Sequence, residues 1–171
     1  MAVVGDSRVM DMEIVYRVII VLVPMILSLS VHEFAHAWSA WKLGDDTAKR
    51  AGRLTLNPMA HIDPIGTLLL PVLLTIQGGG FFFGWAKPVP VNRVRFRRGI
   101  SMRTGDILTA VAGPGSNVLI AFIVSGIIIG AGLADGTPVA TFLVHMFFIN
   151  LSLAVFNIIP VPPLDGHYLL P

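Results

Sequence analysis

Residues 14–41 form one nearly unbroken apolar run, and as a helix a run of that length crosses a hydrocarbon core of about 30 Å. Within it stands Val31-His32-Glu33-Phe34-Ala35-His36-Ala37, which puts three ionisable groups at a depth where such groups are costly to bury. Residues four apart share a helix face, so His32 and His36 can both direct a ring nitrogen at one metal, with Glu33 beside it. Zinc in a catalytic site takes a third protein ligand and keeps an open position for water. A glutamate next to that water accepts its proton and later passes it to a leaving amine, which is the role expected of Glu33. The competing reading is a helix that carries two histidines by chance, which would leave these groups without a compensating ligand.

The remainder of the chain is of the same kind. Of its 171 residues, 54% are hydrophobic and 13% charged, and the mean hydropathy is +0.78, well outside the range of a soluble domain. These values predict an integral protein of the lipid bilayer. The net charge of +2 is small and the basic residues cluster in loops beside apolar runs, where they act as orientation signals; no nucleic-acid surface is indicated. Cysteine is absent, which excludes disulfides and thiolate ligands and leaves histidine and carboxylate as the strong zinc donors. The polar residues 1–13 lead directly into the run that holds the histidines, so a cleaved signal peptide is not expected.

Along the chain, the first helix is expected over residues 14–41, bent at Pro24, which leaves the carbonyl of Ile20 without its helical donor. Arg17 and His36 are about 28 Å apart at 1.5 Å per residue, so the histidines lie toward one aqueous side. Residues 42–64 make a polar connection in which Gly52-Arg53-Leu54-Thr55-Leu56 alternates like a short strand before the turn at Asn57-Pro58. The apolar residues 65–76 would reach only about 18 Å as a helix, too short to cross. With the break at Gly78-Gly79-Gly80 and the apolar Phe81-Phe82-Phe83-Gly84-Trp85, they read as a re-entrant hairpin sheltered by protein. Two further apolar runs follow, 107–133, interrupted by Gly113-Pro114-Gly115, and 139–159. The positive-inside rule assigns both basic loops, 42–64 and 87–103, to the cytoplasm, which requires that the chain between them not cross. The third run then leaves the cytoplasm and the fourth returns, so Asp165 arrives on the same side as His32 and His36. The fold expected is therefore all-α and polytopic, a single domain over residues 1–171, with about three spanning helices plus a re-entrant hairpin with short β segments.

The stretch Asn157-Ile158-Ile159-Pro160-Val161-Pro162-Pro163-Leu164-Asp165-Gly166 ends the fourth run with prolines and presents a carboxylate. Asp165 is thus the best third ligand, against the alternative of an N-cap for a helix beginning near Gly166. His61, Asp63, His145 and His167 are weaker candidates, because a loop or core histidine is more often hydrogen-bonded than metallated.

With these motifs in this order, the chain resembles the site-2 protease family of intramembrane zinc metalloproteases. His32-Glu33-Phe34-Ala35-His36 matches the family's HExxH, and Asn157 through Gly166 its NxxPxPxLDG segment. Gly113-Pro114-Gly115-Ser116-Asn117 looks like its glycine- and asparagine-containing motif, and Gly52-Arg53-Leu54-Thr55-Leu56-Asn57-Pro58 with His61, Asp63 and Pro64 is similar to the compact prokaryotic branch without a PDZ domain. The resemblance covers most of the chain from residue 14 onward. It implies one zinc per chain on His32, His36 and Asp165, Glu33 as catalytic base, and Asn117 and Asn157 in contact with substrate or oxyanion. The competing use of those asparagines is hydrogen bonding between membrane helices. It further implies a transmembrane protein substrate, cut near the cytoplasmic face of a prokaryotic plasma membrane. A substrate helix must be locally extended to be cut, and residues 52–56 and 85–92 are the candidate edges for it to pair with. The chain reads Asp165-Gly166-His167 where many members have a second glycine, and members usually continue into a further membrane helix, so a C-terminally shortened chain is expected. The reading of a different class is a zinc-binding membrane protein without proteolysis, a carrier or a silent adaptor.

Overall fold

A computed structural model describes residues 7–78 and 84–170, with side chains from Met12 onward. The first helix, α1, runs Ser7–Lys42 and starts ahead of the expected residue 14. No proline or glycine interrupts its first turns, and Glu13 and Arg17 pair one turn apart at 2.5 Å. It ends before Gly44, whose φ of +110° suits only glycine; a Cβ there would also lie 2.7 Å from Cγ of Arg97. The short helix α2, Thr47–Arg50, is followed by a 3-10 turn over Pro58–Ala60. A π-helical segment, Pro64–Leu69, then runs into α3, Leu70–Ile76. Asp63 caps this segment by accepting from the N–H groups of Ile65 and Gly66.

Two long helices follow. α4, Met102–Ala131, begins at Ser101, whose hydroxyl accepts from the N–H of Thr104, and ends at Gly132 with φ +55°. α5, Pro138–Ile158, begins at Thr137, which caps Ala140 in the same way. A 3-10 helix over Asp165–Leu169 closes the described chain. Helices α1, α4 and α5 are long and apolar enough to cross a membrane, as an integral membrane protein requires. Each packs against the other two, and α3 lies against α1. Because α4 runs opposite to the other two, the ends of α1 and α5 meet the start of α4.

Two expectations need correction. Gly113-Pro114-Gly115 does not interrupt α4, which continues through Pro114. Proline forfeits one helical hydrogen bond, here to the carbonyl of Ala110, and packing against α1 holds the helix together across the gap. Residues 52–56 form turns and bends, and no strand occurs among the described residues. Their alternation has another cause: Gly52 turns with φ +68°, and Arg53 is buried because its guanidinium donates to the carbonyl of Lys87.

Residues 79–83, on which the expected hairpin turn falls, lie outside the described residues. On either side of them, the N–H of Trp85 donates to the carbonyl of Gly66 at 3.2 Å and that of Lys87 to His61 at 2.9 Å. The Trp85 ring covers Gly66 so closely that a Cβ there would lie 2.3 Å from it. Ala86 is buried in an apolar cluster with Met25 and Leu29 of α1 and Ile149 of α5. The chain after residue 83 thus returns to the start of the Pro64–Leu69 segment, alongside the membrane-crossing part of α1.

Candidate metal centre

One turn of α1 presents His32 and His36 on the face toward α4, and both are buried. Their Nε2 atoms are 3.0 Å apart. Oδ2 of Asp165 lies 3.2 Å from Nε2 of His32 and 3.1 Å from Nε2 of His36, so three donors close a triangle. Ligands of a tetrahedral zinc stand about 3.3 Å apart, close to these values. Among the described residues these three form the one group with metal-ligand geometry.

The donor set of the triangle suits a metal cation. Nδ1 of His36 lies 2.7 Å from the carbonyl of Thr109, which can only accept, so Nδ1 carries a proton and, in the neutral ring, Nε2 is left to face Asp165 as a donor to a metal. Nδ1 of His32 is held in turn, 2.6 Å from Oδ1 of Asn117. With both rings neutral, three donor atoms converge about 3 Å apart, the chemistry and spacing of a zinc ligand set.

Two glycines make the approach possible. A Cβ on Gly113 would lie 2.2 Å from Nε2 of His36 and 2.8 Å from Cε1 of His32, so only glycine lets α4 pass this close to the rings. Gly115, two residues on and about 200° round the helix, has open space where its Cβ would be. Gly166 plays the corresponding part for the aspartate. A Cβ there would meet the carbonyl oxygen of Ile158 at 2.2 Å, so glycine allows Asp165 to fold back against the end of α5.

Glu33 is buried beside the triangle, and its Oε2 accepts from the N–H of Val89 at 2.9 Å. Glu33, His36, Val89, Arg93, Thr109 and Asp165 line a cavity of about 210 Å³. The hydroxyl of Thr109 is buried on its wall without a hydrogen-bond partner among the described residues. Ala110, whose carbonyl Pro114 deprives of a helical donor, lines it too.

The other candidates take different places. Asn117 is fully buried and both ends of its amide are engaged, Oδ1 with His32 and Nδ2 with Asn150. Asn157 donates to the carbonyl of Leu153 within its own helix. His61 is buried with Nε2 at 2.8 Å from the Thr55 carbonyl, Asp63 caps its helix, and His145 turns Nδ1 to the Thr141 carbonyl. His167 does reach the cavity wall, where its ring lies against Tyr168 at 3.8 Å. Sequence reasoning missed Val89, Thr109 and Asn150, whose contacts join segments far apart in the chain. Only the prolines on either side of Val89 gave a signal, since they leave its N–H as the sole donor between residues 88 and 90.

Among curated proteins, the chain is similar to "Putative zinc metalloprotease YwhC" of Bacillus subtilis, with 42% identity over 156 residues, covering 87% of this chain and 66% of that protein. It is also similar to "Putative zinc metalloprotease Rip2" of Mycolicibacterium smegmatis, with 30% identity over 149 residues and 87% and 55% of the two chains covered. The protein of the same name in Mycobacterium tuberculosis is 31% identical over 153 residues, with the same coverage. The chain thus spans between half and two thirds of the length of these relatives. No family model matches the chain, and no solved structure does.

Proposed function

We propose that this chain carries the catalytic centre of a zinc-dependent intramembrane endopeptidase of the site-2 type, which hydrolyses a peptide bond of a transmembrane protein near the cytoplasmic face. The observation that carries this reading is the convergence of His32, His36 and Asp165, from the ends of two membrane-crossing helices, next to a buried Glu33. The names of these relatives, each printed as "Putative zinc metalloprotease", support it.

One zinc ion held by these three residues would polarise the scissile carbonyl and acidify a water in its open position. The chain's own groups do the rest. Glu33 takes the proton of the attacking water and returns it to the leaving amine; the Val89 N–H holds Oε2, so Oε1 is the oxygen that accepts. The Thr109 carbonyl fixes the ring of His36. Asn117 serves as a support of His32 better than as an oxyanion donor, since its amide is fully committed, while Asn157 remains the candidate for a substrate contact. The cavity beside Glu33 gives water its way in.

The segment 85–92 is the edge on which an unwound substrate would lie, and its chemistry is one-sided. The N–H groups of Trp85, Lys87 and Val89 all donate into the protein, and Pro88 and Pro90 have none. Around Pro88 and Pro90 a substrate strand would therefore meet carbonyls and no free N–H, and would have to supply the donors itself. The return of residues 85–87 to Gly66 and His61 supports a re-entrant hairpin, and with it cytoplasmic placement of both basic loops.

The test is cleavage of a reconstituted transmembrane peptide by the full-length protein. Cleavage should need zinc and disappear with Glu33→Gln. Zinc bound at full occupancy with no peptide cut by the unaltered protein would instead favour a carrier or adaptor.

A further inference from the structure

Behind His32 lies a line of buried polar groups that the proposed chemistry does not use. Nδ2 of Asn117 donates to Oδ1 of Asn150 on α5 at 2.8 Å. Nδ2 of Asn150 donates both of its hydrogens, to the Met146 carbonyl and to Oγ of Ser28, each at 2.8 Å. Ser28 donates onward to the Pro24 carbonyl at 2.7 Å. Asn117, Asn150 and Ser28 are all 0% exposed, so no solvent can substitute for a missing partner.

The direction of this line is fixed at its far end. A backbone carbonyl can only accept, so Met146 requires that Asn150 turn its amide nitrogen toward it and its oxygen toward α4. That oxygen requires the nitrogen of Asn117, which leaves the Asn117 oxygen facing His32. His32 must then carry a proton on Nδ1, and its neutral form can only be the tautomer whose Nε2 lone pair faces Asp165. Reversing either amide would set two acceptors against each other in a site without water.

We infer that Asn150 is a positioning residue for His32, acting through Asn117 from a third helix to fix the tautomer and aim of a metal ligand, with Ser28 anchoring it. This rests on the reading of His32 as a ligand, and it adds a requirement on α5 that reading does not contain. Supports of this kind typically alter metal affinity by about 10–100-fold.

The experiment uses the purified protein in detergent, with zinc affinity measured by chelator competition and the histidine tautomers read from 15N shifts of the metal-free protein. Asn150→Leu, which keeps the branched shape without the polar groups, should weaken zinc by about 10–100-fold, Asn117→Leu by a similar factor, and the double variant by no more than the larger of the two. Ser28→Ala should give a smaller loss, and Ser125→Ala, on the exposed face of α4, none. Unchanged affinity in Asn150→Leu beside a clear loss in Asn117→Leu would overturn the assignment. So would an unaltered protein whose His32 carries its proton on Nε2, a result that needs no variant to fold. Unaltered protein that binds no zinc would overturn the metal centre and this inference together.

Discussion

The two ends of the helix bundle are built on different rules. Around the histidines, most buried positions are small or polar, Ser28, Ala37 and Ala40 on α1 and Thr109, Ala110, Gly113 and Asn117 on α4, with Leu29 and Ile149 the large apolar exceptions. Further along α4 the buried residues are only Ala121 and Val124, without polar groups, and the large side chains turn outward, with Phe122 75% and Ile129 81% exposed. Lipid tails are as apolar as leucine, so apolar area alone does not hold membrane helices together; close approach and buried hydrogen bonds do. The specificity of this fold is therefore concentrated where its chemistry is.

That contrast can be broken most severely at Gly113. Gly113→Val should abolish metal binding, because the new side chain would occupy the place of the His36 ring, whereas Gly115→Ala should bind as the unaltered protein does. Metal analysis of the purified variants checks this, and equal binding by both would mean that α4 can withdraw at no loss. Next in size is Ile149→Ala, at a buried position shared by α1, α5 and Ala86, which should destabilise by about 2–5 kcal/mol. Phe122→Ala, on the outward face, should stay within about 0.5 kcal/mol. Reversible denaturation in mixed micelles separates the two; comparable losses would show that the outward face packs on something. The mildest changes are single cysteines at Arg50, Arg95 and Gly136, which should alter stability little and report only the side each faces. Residues 50 and 95 should label from the cytoplasm and residue 136 from the opposite side. Opposite labelling of 50 and 95 would mean that residues 65–76 cross, against the short path from Gly66 back to Trp85.

The same contrast explains what could be read from the sequence. The spanning helices were legible because length and hydropathy are properties of one segment, and His32 and His36 because a spacing of four is a local geometry. The approach of Asp165 to the histidines was legible through topology: the two long apolar runs between them, one leaving and one returning, bring it back to the histidine side. The strand at 52–56 was misread because five alternating residues carry too little signal, and Arg53 points inward for a carbonyl 34 residues away. Gly113-Pro114-Gly115 looked like a break because propensity counts the lost hydrogen bond and not the packing that offsets it. Asn150 and Thr109 left no trace, since their roles exist only once α5 and α4 face α1.

The most direct test of the centre is a zinc count per chain beside a cleavage assay. Glu33→Gln should retain about one zinc and cut nothing, while His36→Ala and Asp165→Ala should lose the metal and the activity together. Equal zinc loss in all three, or zinc that follows Asp63 or His61 instead of Asp165, would contradict the assignment of base and ligands.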